Sequence, residues 1–126
     1  MAQQNLYCKL FIDADIAREG LINMITEFTN GRRKLFRTII TDFCEIDVND
    51  NDDYYTEQKP DNDFLYYKFF LDIEPGSDVE TPQYIHSIAE LMKMFSSKEI
   101  HTVPACDFEN ELAVLIQDLC CAKISP

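Results

Sequence analysis

No apolar run in the chain exceeds a few residues, against the roughly 18 that a membrane-spanning helix needs. A helical membrane protein is thereby excluded. The opening Met1-Ala2-Gln3-Gln4-Asn5 has neither a basic start nor an apolar signal core, and a cytoplasmic location is expected from it. Glycine is scarce. Gly20, Gly31 and Gly76 are scattered, which excludes a glycine-rich phosphate loop. The two histidines, His86 and His101, stand beside no nucleophile-and-base pattern. The five cysteines, Cys8, Cys44, Cys106, Cys120 and Cys121, are odd in number and form no C-x-x-C pair. That argues against a disulfide framework and against a zinc site, and reduced structural thiols are expected, the vicinal Cys120-Cys121 pair included. Positive charge is also short, with 11 Lys and Arg against 23 Asp and Glu. Nucleic acid and anionic membranes are poor partners for such a chain. No repeat of 20–50 residues is present.

What is there suffices for one domain, 1–126. The 126 residues are 46% hydrophobic, and a domain near 150 residues hides roughly 68–70% of its unfolded surface. The net charge of −12 is unevenly spread, because residues 42–80 hold thirteen acids against only Lys59 and Lys68. The opposite feature is Arg32-Arg33-Lys34-x-x-Arg37, read as a polar turn between a helix and the next strand, paired with nearby acids.

Residues 6–12 read as a strand, and Asp13-Ala14-Asp15 as the N-cap of a helix carrying Leu21, Met24, Ile25 and Phe28 on one face. Asn30-Gly31 is its stop, with glycine taking the left-handed position. Residues 35–48, rich in β-branched and aromatic side chains, read as one long strand. A polar connection of about fifteen residues follows, and then a strand over 64–73. Glu74-Pro75-Gly76-Ser77-Asp78 is a turn. Thr81-Pro82 opens a second helix with the stripe Ile85, Ile88, Ala89, Met92 and Phe95. His101–Cys106 is a strand that Pro104 suits to an edge. Asp107 caps a last helix carrying Phe108, Leu112, Leu115, Ile116 and Leu119.

The expected fold class is therefore α+β: a ferredoxin-like β-α-β-β-α-β sheet with two helices on one face plus a C-terminal helix. Its second face would carry Tyr7, Phe11, Ile39, Phe43, Tyr66 and Phe70 among Lys9, Arg37 and Lys68. Those side chains are too apolar for water, and the last helix is expected to cover them; the other candidates are a partner or a second copy.

The run Asp47-Val48-Asn49-Asp50-Asn51-Asp52 suggests calcium at first, with ligand types at loop positions one, three and five. Position six is then Asp52 where glycine is required, and position twelve is Gln58 where a bidentate Glu belongs. The motif fails. No metal ligand, no cofactor and no catalytic residue is assigned, and the chain is not expected to be an enzyme.

Size, acidity, the β-α-β-β-α-β order and the run Val103-Pro104-Ala105-Cys106-Asp107-Phe108-Glu109-Asn110-Glu111-Leu112 together resemble immunity proteins of bacterial polymorphic-toxin systems, of the contact-dependent inhibition and Rhs type. The resemblance implies a stoichiometric inhibitor, a monomer or weak dimer, that binds a cognate protein toxin with a basic surface, often a nuclease. It carries no residue roles with it. Within that reading, Asp47, Asp50, Asp52, Asp53, Glu57, Asp61 and Asp63 would attract the partner, and Tyr54 and Tyr55 would anchor it. The competing reading of the segment is a solvated hairpin tip. Two other functions stay open: a small-ligand or regulatory module, dimeric through its open sheet face, and an enzyme with carboxylate or Cys-His chemistry.

Overall fold

Cys8, Leu10 and Ile12 alternate with Lys9 and Phe11 along the first strand, β1 (Cys8–Asp13), and all three are fully buried on one face. The computed structural model describes the backbone of residues 5–55 and 64–124, and the side chains of these except Tyr55 and 118–124. The remaining elements are α1 (Arg18–Thr29), β2 (Arg32–Lys34), β3 (Thr38–Ile40), β4 (Cys44–Asp50), β5 (Phe69–Pro75), α2 (Thr81–Ser97), β6 (His101–Cys106) and α3 (Glu109–Ile124). Short 3-10 turns occupy Asp52–Tyr55 and Phe64–Tyr66. The fold class is α+β, with a six-stranded sheet in the order β2-β3-β4-β5-β1-β6 and every neighbouring pair antiparallel.

The sheet departs from a plain β-α-β-β-α-β order because the expected strand over 35–48 is broken twice. Leu35 takes a left-handed backbone, φ 57°, which turns the chain between β2 and β3. At the second break the Thr41 hydroxyl accepts from the amides of Phe43 (3.2 Å) and Cys44 (2.9 Å), closing a side-chain turn. The two turns shift the strand parity. Ile39, expected on the second face, lies opposite Ile46 and is fully buried in the core. The Arg32-Arg33-Lys34 run is an edge strand rather than a loop. Gly31 permits the hairpin to close on α1, since a Cβ there would stand 2.8 Å from Ile39 Cγ2 and 3.0 Å from the Ile40 carbonyl.

Strand β5 starts later than the sequence suggests, at Phe69 rather than Phe64. The cause is Asn51, the one buried polar side chain among the described residues. Its amide donates to the carbonyls of Leu65 (2.8 Å) and Tyr67 (2.7 Å), folding 64–66 into a turn.

Helix α1 begins at Arg18 after Ala17, with no side-chain cap, so neither Asp13 nor Asp15 serves as its N-cap. Asn30, not Gly31, takes the left-handed C-cap position. The helix buries Leu21, Ile22 and Ile25, while Phe28 is left 46% exposed. Thr81 is the first helical residue of α2 and Glu80 its cap position, so Thr81 is not the cap. All five expected stripe residues of α2 are buried, together with Tyr84, Leu91 and Met94. Tyr84 is fully buried, and its hydroxyl lies within reach of the Leu6 (2.5 Å) and Ile73 (3.1 Å) carbonyls, tying α2 to two strands.

One core joins the sheet face of Leu10, Ile46 and Leu71 to α1 and α2. Helix α3 packs on α2, with Phe108 and Leu112 buried and the Phe108 ring 6.0 Å from that of Tyr84. The last helix therefore extends the helical layer, and its described part does not cover the second face. That expectation is corrected. The geometric reason is that β6 is the edge strand: a chain leaving it beside α2 meets apolar α2 surface before it can round the edge.

Candidate functional site

The second face follows from the strand register. Opposite residues on antiparallel neighbours point the same way, so the pairings define rows running across the sheet. One row reads Arg32, Ile40, Glu45, Glu74 from β2 to β5. The next reads Lys34, Thr38, Asp47, Asp72, Lys9, Ala105 from β2 to β6. A third holds Asn49, Phe70, Phe11 and Val103.

The third row is partly covered. The turn Phe64–Tyr66 folds over it, with the Phe64 ring 5.2 Å from Phe11, and Phe11 is only 4% exposed. The Lys9 ammonium lies over Phe70 (4.3 Å) and Phe11 (5.1 Å), its stem along the apolar surface and its charge on two π faces.

The first two rows carry the charge. Glu45 stands directly opposite Glu74, and Asp47 directly opposite Asp72. Four carboxylates thus form a grid of roughly 4.8 Å across the strands and 6.8 Å along them. Like charges so placed repel and destabilise the sheet. Two of the four have neutral donors: Asp72 accepts from the Tyr7 hydroxyl and from Asn49 Nδ2 (2.9 Å), and Asp47 from the Thr38 hydroxyl (2.6 Å). Burial and the bond to Asp72 push the Tyr7 phenol upward, so it remains a proton donor throughout the physiological range. Glu45 and Glu74 are exposed. Among the described residues, none of the four is in an ion pair.

The carboxylates singled out from the sequence divide between this face and the adjoining end of the sheet. Asp47 is on the face. Asp50, at the end of β4, is paired with Arg18 at 2.7 Å. Asp52 and Asp53 are exposed on the turn after β4, which Asn51 fixes by accepting from the Asp53 amide (3.2 Å). Tyr54 is half-buried, with its amide bonded to the Asn51 carbonyl (3.0 Å). Glu57, Asp61 and Asp63, and the side chain of Tyr55, lie outside the described residues.

Among the described residues, the basic run forms no ion pair with these acids. Arg33 instead makes a two-pronged pair with Glu19 of α1, both contacts 2.7 Å, and donates to the Phe36 carbonyl. That guanidinium holds the Glu19 carboxyl below its ordinary range. Sequence reasoning placed Tyr7 on this face but missed Glu45, Asp72, Glu74 and Asn49 as members of one surface. The available signal was alternation: 45, 47, 49 and 70, 72, 74 are the positions between core residues of β4 and β5.

Other chemistry is sparse. Cys8 and Cys106 oppose each other on β1 and β6, but burial raises both thiols and leaves little thiolate to act as a nucleophile. His86 is exposed on α2, 3.6 Å from Glu90. Among the described residues no three His, Cys, Asp or Glu side chains converge to hold a metal ion, and no helix is long and apolar enough to cross a membrane. No family model, no curated protein and no solved structure matches this chain.

Proposed function

We propose that the chain is an acidic protein-binding inhibitor, an immunity protein that neutralises a cognate toxin by occupying that toxin's basic surface. The observation that carries this reading is the pair of opposed carboxylate couples, Glu45 with Glu74 and Asp47 with Asp72, on a sheet face that no helix among the described residues covers. A fold has no structural use for like charges set against each other across a ladder, where almost any neutral pair is more stable. A cationic partner removes the repulsion on binding and recovers the stability the free protein forgoes. The same field would draw the partner in, since complementary potentials raise association rates far above the neutral range.

A nuclease fits this surface well, because its substrate groove must present cations to phosphates, and a rigid carboxylate grid competes for them. The exposed acids Asp52 and Asp53, at the adjoining end of the sheet, would extend the contact. Asp50 would serve less, its charge already met by Arg18. Cytoplasmic residence agrees with the three free cysteines among the described residues, Cys8, Cys44 and Cys106. For the architecture, we read β4, β5, β1 and β6 with α1 and α2 as a ferredoxin-like core, to which the β2–β3 hairpin and α3 are additions.

The test is protection of growth. The reading frame beside this one, where it ends in a toxin domain, is expressed with and without the chain. Wild type is expected to restore growth and E45K/E74K to fail, with the variant's urea midpoint showing that it still folds. Full protection by E45K/E74K would remove the sheet face from the mechanism.

A further inference from the structure

The rows of the uncovered face have a second property. The first two begin with a cation on the edge strand β2 and continue to two acids on β4 and β5: Arg32 with Glu45 and Glu74, Lys34 with Asp47 and Asp72. Within the described residues of one chain these charges do not pair. Two strand spacings, about 9–10 Å, separate β2 from β4, and neither Arg32 nor Lys34 is in an ion pair among the described residues. Both are exposed. Arg33, between them, points to the helical side and is engaged by Glu19.

We propose that a second copy of this chain covers the β2–β3–β4 part of the face, in a two-fold dimer whose axis runs along β3. Rotation by a half turn about that line reverses the strand order and leaves each row at its own height. Arg32 then lies over Glu45 of the partner, Lys34 over Asp47, and Ile40 over its own copy, with Glu74 and Asp72 one strand further on. Every cation–acid contact occurs twice, as an isologous interface requires. A face whose cations lay at a different height from its acids would gain nothing from this operation.

The hairpin tip supports the same occupant. Leu35 and Phe36 are 79% and 83% exposed, although Leu35 is held at a backbone angle that costs a leucine about 1–2 kcal/mol. Arg33 clamps the Phe36 carbonyl, so the tip is preorganised. Continuing one step beyond Lys34, it reaches the row of Asn49 and Phe70 on the other copy, beside the ring cluster of Phe11 and Phe64. The tip thereby brings the two most exposed large apolar residues among the described residues to the rim of the interface. Because the dimer also covers Glu45 and Asp47 of the grid, a basic partner and the second copy would compete for part of one surface.

Sedimentation equilibrium of the chain alone, from about 1 µM to about 1 mM and at low and high salt, tests the dimer. Wild type is expected to associate reversibly, more weakly as salt is added. R32E alone, and E45K/E74K alone, should each weaken association about tenfold or more. Mixing the two variants should restore it, since the exchanged charges then attract across both halves of the interface. A wild type monomeric throughout, a dimer indifferent to R32E, or a mixture no tighter than its components would each overturn the proposal. R32E leaves the acids in place, so it would weaken the dimer while keeping protection against a toxin. The failure of one reading is thus separable from the failure of the other.

Discussion

Neutralising one member of the Glu45–Glu74 couple should make the protein more stable. The two glutamates are directly opposed on β4 and β5, both exposed, so their Cβ atoms stand about 4.5–5.5 Å apart. With carboxylates splayed to about 6 Å in water the Coulomb repulsion is roughly 0.7 kcal/mol, inside the range of about 0.2–1 kcal/mol for cross-strand pairs. E45Q and E74Q should each stabilise by about 0.5–1 kcal/mol, a midpoint shift of a few degrees for a domain this size. Removing any acid from a chain of net charge −12 relieves some general repulsion, so the single variants do not isolate the couple. The double-mutant cycle does. E45Q/E74Q should gain less than the sum of the singles, by about 0.2–1 kcal/mol, and that shortfall is the pair energy. Urea denaturation measures it. The shortfall should fade between about 0.01 M and about 1 M salt, as the screening length falls from roughly 30 Å to roughly 3 Å. Additive singles at low salt, or a destabilising E74Q, would show that the couple carries no strain, and the functional argument built on that strain would fail with it.

Two further outcomes follow from single side chains. N51A removes both donors to the Leu65 and Tyr67 carbonyls and the acceptor for the Asp53 amide; it should cost roughly 2–3 kcal/mol in urea denaturation, and a loss below about 0.5 kcal/mol would mean that water replaces the amide. Acid should weaken the Glu19–Arg33 link, because Arg33 lowers the Glu19 carboxyl: the contribution is present above the unfolded value of roughly 4.3 and is lost as pH falls through the lowered folded value. E19Q should therefore flatten the acid limb of stability against pH, and an acid limb identical to wild type would contradict the pairing.

Much of the fold was legible because its signals were local and redundant. The α2 stripe of Ile85, Ile88, Ala89, Met92 and Phe95 emerged whole, and Pro104 marked β6 as an edge. The breaks inside 35–48 were not legible, since they rest on features with no compositional trace. Leucine is a poor residue for φ 57°, so nothing at Leu35 announces a turn. Thr41 favours strands as readily as it caps a turn. Asn51 sits in an acidic, polar run, and only the fold reveals that its amide organises the chain fourteen residues later.

The functional surface was half legible for a related reason. Charge density along the sequence is highest where no apolar residue interrupts it, so it points to the segment after β4 and to Asp50, Asp52 and Asp53. A sheet face is built on the opposite pattern, in which Glu45, Asp47, Asp72 and Glu74 are each separated from the next by a core residue such as Ile46 or Ile73. Density dilutes these acids; alternation collects them. Alternation alone still cannot say which acids of β4 meet which of β5, because a slip of two residues preserves the faces and changes every partner. It is register that sets Glu45 against Glu74 and places Arg32 at their height. A surface that looks like plain acidic excess in the sequence thereby becomes one with a defined geometry, repulsive within a chain and attractive between two.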